Sequence, residues 1–454
     1  MMWCMLLFLP KKLFMEHLVS RAFCISISAI LASTTLSQTV FADKPSANYD
    51  EAKAPSYTLP DPLIDNSGKK LSDVSEWKSR RREILNLFED QVYGRIPAEA
   101  TTCDVEVRVV EQTDDALQGK ARRIQFEVAP LRNGKPLFRI GVLTYLPLTD
   151  HPAPCFLALN FFGNQSVHAD PEILLNKNWI GNKVDGVVDG RVTEAARGVR
   201  STRWDVEEII GRGYGLVTAY YGDIDPDRHD FTDGAHSYFY SEGQTAPAAD
   251  EWGSIAAWAW GLSKIRQAIG ENPKLLAEID SERMIVFGHS RLGKTALWAG
   301  AIDPKFAMII SNDSGCGGAA LSSRAFGETV GLINRQFPHW FCDNFNKYNE
   351  NESALPVDQH ELIALCAPRP VYVASAQGDR WADPRGEFLA CLHASPVYEL
   401  LGVAGLPADK MPMAGTTMST GRLNYHIRPG GHDVQAFDWR AYLTFADRLL
   451  PERR

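Results

Sequence analysis

Cysteine is scarce in this chain, eight in 454 residues. The six beyond residue 42 (Cys103, Cys155, Cys316, Cys342, Cys366 and Cys391) form no Cys-x-x-Cys pair and no Cys/His cluster at zinc spacing. A structural metal is therefore not expected, and a disulfide-dense scaffold is excluded. Basic charge is also short: 47 Lys and Arg stand against 56 Asp and Glu, a formal net charge of −9. Nucleic acid or an anionic membrane as main partner would call for a basic face, so neither is expected. Internal repeats and low-complexity tracts are lacking. With 45% hydrophobic and 23% charged residues, what remains is an ordinary globular protein.

Long uninterrupted apolar runs are missing as well. The nearest candidate, Arg21 to Ala42, is broken by Ser33, Thr34, Thr35, Ser37 and Thr39, and closes on Val40-Phe41-Ala42 before Asp43. That pattern reads as a cleaved export leader over residues 1–42, with Met15 as an alternative start, rather than as a membrane anchor. A secreted or periplasmic protein is expected, with no membrane association after cleavage. Its cysteines are read either as paired, in a connectivity the sequence does not give, or as small buried apolar residues.

Residues 43–70, rich in Pro, Ser, Asp and Lys, predict an extended arm. Asp73 with Glu76 three positions on predicts a helix N-terminus, and Trp77, Ile84, Leu85, Phe88 and Val92 supply its apolar stripe. β-like runs follow at 105–110, 124–128 and 138–146. Short, almost wholly apolar runs at 155–159, 215–219, 284–287, 306–310 and 371–374 then alternate with helical segments at 252–269, 294–301 and 439–450. Continuous apolar strands separated by helices signify a parallel sheet covered on both faces. The expected fold is a single doubly wound α/β domain over residues 71–454, entered through a few antiparallel strands. The stretch from Gly315 to about His360, dense in aromatic residues, reads as an insertion over the C-terminal ends of the strands, where open α/β sheets bind ligands.

One local pattern carries chemistry. Met284-Ile-Val-Phe-Gly-His-Ser-Arg-Leu-Gly-Lys runs from a strand through Ser290 directly into a helix. This is the arrangement of a nucleophile elbow, in which a strained serine projects its hydroxyl while small neighbours let the chain double back. The spacing departs from Gly-x-Ser-x-Gly, because Leu292 holds the second glycine site and Gly293 comes one later. A serine needs a base, and His432, in a glycine-rich loop before the last helix, stands where the serine, acid, histidine order puts it. His426 falls inside a strand pattern and reads as structural. Two acids follow late strands, Asp313 and Asp379, and either could orient the histidine. Asn160-Phe-Phe-Gly-Asn is placed like the loop that donates an oxyanion N–H, and Asp223-Ile-Asp-Pro-Asp reads as a loop near the site rather than a calcium site, since it lacks the later glycine and glutamate.

These motifs, with Asn-Asp-Ser-Gly-Cys-Gly-Gly at 312–318, Phe-Pro-His-Trp-Phe at 337–341, Ala-Pro-Arg-Pro at 367–370, Trp-Ala-Asp-Pro at 381–384 and Gly-His-Asp at 431–433, resemble the bacterial glucuronoyl esterases. The resemblance implies an α/β hydrolase that uses no metal or other cofactor and cleaves esters between 4-O-methyl-glucuronic acid branches of xylan and lignin alcohols. It implies Ser290 as nucleophile, His432 as base and Arg291 beside the oxyanion. It also implies Lys294 and Trp381 against the uronate hydroxyls and ring, while Glu328 and Gln336, by their place in the aromatic stretch, are further candidates for sugar hydroxyl contacts. The family often carries Glu where Asp313 stands, and bacterial members carry an acid at Asp379, so the two share the candidacy. The cysteine pair of fungal relatives is replaced by His289 and Asp433. The expected protein is a monomer acting on glucuronoxylan or lignin–carbohydrate esters. A carbohydrate deacetylase on the same scaffold and a noncatalytic carbohydrate-binding protein are the alternatives.

Overall fold

A computed structural model describes residues 46–181, 184–418 and 420–450, so the expected leader lies outside the described residues. A mixed sheet dominates. Its longer strands are β1 (Val105–Asp115), β2 (Ala121–Arg132), β3 (Ile140–Pro147), β4 (Ala153–Asn160), β5 (Gly215–Tyr220), β6 (Ile279–His289), β7 (Met308–Asn312), β8 (Val371–Ala376) and β9 (Leu423–Arg428), with the two-residue strands Lys135–Pro136 on β2 and Thr416–Thr417 on β9. Across the sheet they run β1-β2-β3-β5-β4-β6-β7-β8-β9. The β1/β2, β2/β3 and β3/β5 pairs are antiparallel, and every pair from β5 to β9 is parallel. The antiparallel entry and parallel body are those expected from the apolar runs.

Alternate residues of the parallel strands feed two cores. Val286, Ile309 and Val373 face one side with Trp258, Leu262, Leu297 and Phe388. Ile285, Phe287, Ile310 and Tyr372 face the other with Trp439, Tyr442 and Phe445. Helices α1 (Val74–Phe88), α2 (Ser254–Glu271), α3 (Arg291–Ile302), α4 (Pro384–Leu400) and α5 (Ala436–Leu449) supply most of these partners. Burial on both faces is why the central strands carry no polar alternation. Helix α1 opens on the predicted capping box, Asp73 with Glu76. Its stripe continues through a π-turn, Glu89–Tyr93, to Gly94 at φ 84°, where a Cβ would lie 2.1 Å from the Glu251 carbonyl oxygen. Helix α4 escaped the sequence reading. Asp383-Pro384 announces its start, but Pro396 inside it breaks the helical pattern.

The segment 315–358 is built of short helices and turns, among them Val330–Gln336. Its aromatic side chains are mostly core: Trp340, Phe341, Phe345 and Tyr348 are buried, and Phe341 joins a ring cluster with Tyr93 and Phe345. The six cysteines from Cys103 to Cys391 are unpaired and buried. No helix among the described residues is long and apolar enough to cross a membrane.

Candidate active site

Ser290 follows the last residue of β6 and caps α3 with φ 58° and ψ −130°, a conformation that side-chain-bearing residues rarely adopt. The strain is fixed from both sides. The Ser290 N–H donates to the Asn312 carbonyl at 2.9 Å, and its carbonyl accepts from Gly293 and Lys294 as α3 begins. Gly288 is required because a Cβ there would sit 1.8 Å from the Leu292 carbonyl oxygen, and a Cβ on Gly293 would meet Ser314 Cβ at 2.9 Å. The glycine shifted by one position from the usual spacing is thus the one that faces the end of β7. Leu292 is buried in the core instead.

His432 rides on the loop after β9. Arg428, fully buried, ties that loop down: Nη1 donates to the carbonyls of Pro429 (3.1 Å) and Gly431 (3.2 Å), Nη2 to that of Asp433, and Nε to Asp438 at 2.8 Å. The loop after β8 is stitched to it, with Gln377 N–H on the Arg428 carbonyl and Gly378 N–H on the Gly430 carbonyl, each at 2.8 Å. This brings Asp379 under the imidazole, where its Oδ2 lies 2.6 Å from His432 Nδ1. The ring is 41% exposed while the carboxylate is 6% exposed, the disposition of a base open to a substrate and an acid shielded from water. The ring also lies against His289, the residue preceding Ser290, with centroids 4.5 Å apart. His289 in turn bonds Asn312 Oδ1 through Nδ1 at 2.6 Å, and burial pushes its pKa well below the usual imidazole value. His426 is fully buried between Tyr372 Oη (2.9 Å) and Asp438 (2.8 Å), a structural tie as expected.

Asp313 is close but differently employed. Side-chain atoms of Asp313, Asp379 and His432 all lie within 4.8 Å of one another. Asp313 Oδ1, however, accepts the Ala376 N–H at 2.6 Å, and Oδ2 has no hydrogen-bond partner, with the Arg428 guanidinium 3.6 Å away. Burial, then the charges of Glu387 and Asp379, push its pKa well above the usual carboxylate range. Glu387 of α4 was not foreseen. Its Oε1 accepts the N–H groups of Ser314 (2.8 Å) and Gly315 (3.0 Å), and its Oε2 the Ser375 hydroxyl at 2.5 Å, so it joins the loop after β7 to the end of β8.

On the other side of Ser290, Arg291 lies among aromatic rings, 4.7 Å from the centroid of Trp340, 5.5 Å from Phe337 and 5.6 Å from Phe161. Its Nη1 is paired with Asp227, the last acid of the Asp223-Ile-Asp-Pro-Asp loop, and its Nε is buried without a partner. Lys294, one turn into α3, donates to the carbonyls of Ser314 (2.7 Å) and Cys316 (2.6 Å) and to Glu328 at 3.2 Å. The backbone N–H of Glu328 bonds the Trp381 carbonyl at 2.9 Å. Lys294, Glu328 and Trp381 are thus brought together; Trp381 is half-buried, whereas Gln336 is exposed at the end of its short helix. Among the described residues the His/Cys/Asp/Glu grouping able to hold a metal ion is Asp313, Asp379 and His432 itself.

A family model described as glucuronyl esterase of fungi matches residues 230–402. The carbohydrate esterase MZ0003 of an unknown prokaryotic organism is 46% identical over 435 residues, which cover 94% of this chain and 98% of that protein. A solved structure described as a promiscuous CE15 esterase from the marine bacterial metagenome superposes with a TM-score of 0.81 at 47% identity, covering 89% of this chain and 100% of the other. A glucuronoyl esterase from Solibacter usitatus gives a TM-score of 0.81 at 42% identity, covering 88% and 100%. With its doubly wound sheet and strained serine turn, the chain is an α/β hydrolase and belongs to the glucuronoyl esterases, carbohydrate esterase family 15.

Proposed function

We propose that this protein is a serine esterase that hydrolyses the ester between a glucuronic acid branch of xylan and a lignin-derived alcohol. The observation that carries the catalytic half of the reading is the 2.6 Å bond between His432 Nδ1 and Asp379 Oδ2, from loops that meet beside the strained Ser290 turn. The bond fixes Nδ1 as the donor, so that Nε2 is the basic nitrogen, and the carboxylate stabilises the imidazolium. His432 takes the Ser290 proton as the serine attacks the ester carbonyl; the Arg291 N–H at the start of α3 and the guanidinium beside it stabilise the oxyanion. The imidazolium then protonates the leaving alcohol. A water molecule, deprotonated by the same histidine, attacks the acyl-enzyme, and its collapse returns the proton to Ser290 and releases the acid.

The uronate side of the substrate is assigned to Lys294, Glu328 and Trp381, and Gln336 is kept as a candidate for a further sugar contact. The glucuronate specificity rests on kinship with the Solibacter usitatus glucuronoyl esterase. Export by a leader over residues 1–42 and a monomeric state belong to the same reading. One observation favours a range of esters wider than glucuronates: the 47% identical neighbour is described as a promiscuous esterase. The noncatalytic reading loses its footing because most of the aromatic side chains of segment 315–358 are core. The test is turnover of benzyl glucuronate and of acetylated xylan by the parent and Ser290→Ala proteins. The expected result is faster turnover of the glucuronate ester and loss of both activities in the variant; acetylated xylan as the better substrate would move the reading to a deacetylase.

A further inference from the structure

The Asp223-Ile-Asp-Pro-Asp loop carries a carboxylate that the reaction above leaves without a task. Asp227 receives donors from four side chains. Its Oδ1 accepts from His339 Nε2 at 2.8 Å and Trp340 Nε1 at 2.7 Å, and its Oδ2 accepts from the Tyr221 hydroxyl at 2.8 Å and from Arg291 Nη1. These side chains come from separate parts of the chain: the end of β5, the segment 315–358, and the first residue of α3. Although burial alone would raise its pKa, the His339 hydrogen bond, the Arg291 charge and the Trp340 hydrogen bond hold it below the usual carboxylate range. These contacts favour the ionised form of Asp227.

The guanidinium it holds sits in unusual surroundings. Phe337 and Trp340 are stacked with ring centroids 3.6 Å apart and planes 2° apart, and Arg291 lies over both, with Phe161 also within 5.6 Å. With rings on several sides and a side chain 26% exposed, the guanidinium is only partly hydrated, so its charge acts more strongly on a nearby developing anion than it would in bulk water. A long, flexible side chain there needs an anchor. A carboxylate devoted to Arg291 alone would neutralise the charge it positions. Shared among Tyr221, His339 and Trp340, the Asp227 charge leaves a larger part of the guanidinium field uncompensated, and the Nε–H stays buried without a partner.

We propose that Asp227 is a positioning residue for catalysis: it fixes the guanidinium of Arg291 beside the Ser290 turn and couples that setting to the aromatic segment through His339 and Trp340. The inference rests on the esterase reading above and deepens it. The outermost of three alternating acids is thereby a part of the oxyanion apparatus that acts through Arg291 without touching the reacting atoms.

The test is a double-mutant cycle on benzyl glucuronate with Asp227→Asn, Arg291→Ala and the pair. Removing an oxyanion donor typically costs about 100-fold or more in kcat, and Asp227→Asn is expected to reach about 10-fold or more with KM changed by less than about threefold. In the Arg291→Ala background, Asp227→Asn is expected to cost no more than about twofold further, because its target is gone. Equal losses from Asp227→Asn in both backgrounds would assign it a purely structural role and overturn the proposal. Parental kcat in Arg291→Ala would overturn the oxyanion assignment itself. If Asp227→Asn fails to fold, Asp227→Glu takes its place in the same cycle, with the same two outcomes.

Discussion

His432 and Asp379 are 53 positions apart and meet at 2.6 Å because two backbone hydrogen bonds, Gln377 to Arg428 and Gly378 to Gly430, fasten the loops after β8 and β9 to each other. A Cβ on Gly378 would come within 2.6 Å of the Gly430 carbonyl oxygen, so the approach depends on a glycine. Asp313, on the neighbouring strand end, spends one oxygen on the Ala376 N–H and is driven toward its neutral form by burial beside Glu387 and Asp379. A neutral acid cannot stabilise an imidazolium by charge.

The two acids should therefore separate sharply on mutation. Asp379→Asn should lower kcat on benzyl glucuronate by about 1,000-fold or more, as expected when the partner that selects the histidine tautomer is replaced by an amide. Asp313→Asn should cost less than about 10-fold, since neither oxygen bonds His432. Steady-state kinetics on the two variants decides it, and the reverse order would transfer the orienting role to Asp313.

The shifted glycine of the serine turn makes a separate prediction. Restoring the usual motif with Leu292→Gly should not improve activity. It removes a buried side chain and adds backbone freedom inside α3, a loss of about 3 kcal/mol in stability. Gly288→Ala should be worse, because its Cβ would overlap the Leu292 carbonyl, with failure to accumulate as folded protein. Urea unfolding and soluble yield are the measurements; a Leu292→Gly protein as stable as the parent would contradict this account.

Much of this site was legible in the sequence. Ser290 announced itself because a strand, a glycine and a helix start are local features, and His432 because a glycine-rich loop before a terminal helix is another. The choice between Asp313 and Asp379 was not legible. Both follow late strands, and what divides them is which oxygen finds the Ala376 N–H, a contact between neighbouring strands. Glu387 was hidden because its helix is masked by Pro396, whereas the loop of Asp227 reads as lying near the site and only its contacts with Arg291, His339 and Trp340 were out of reach. The aromatic segment was visible as composition, but the burial of Trp340, Phe341 and Phe345 depends on packing against distant residues such as Tyr93.

Arg428 is a third point of leverage. It is buried, pairs with Asp438, and holds three carbonyls of the loop that carries His432. Arg428→Met keeps the length and removes the donors, leaving Asp438 buried without that charge partner. Losing one partner of a buried pair costs about 3–5 kcal/mol. Activity should fall more than the folded fraction does, because the loop loses its tether even in molecules that remain folded. Thermal unfolding and kcat measured on the same preparation test this; a stability loss under about 1 kcal/mol would show that the loop is held by other means.

Glu387 yields a pH-dependent prediction. It is fully buried, and burial pushes its pKa up to about 7, against an ordinary value near 4.5. A carboxyl group with a raised folded-state pKa binds more protons folded than unfolded between those two values, so its contribution to stability falls as pH rises through that window. Below about pH 4.5 it is protonated in both states and imposes no cost. Above about pH 7 the full cost, on the order of 3 kcal/mol, is in place. Glu387→Gln removes the titration while keeping an oxygen for the Ser314 and Gly315 N–H groups. The Ser375 hydroxyl can rotate to accept from the new amide. The variant should therefore gain stability over the parent as pH rises from about 4.5 to about 7, and the two melting curves should converge in acid. Melting temperatures across pH 4 to 8 supply the difference, and a gap that stays constant over that range would mean Glu387 does not change its protonation there.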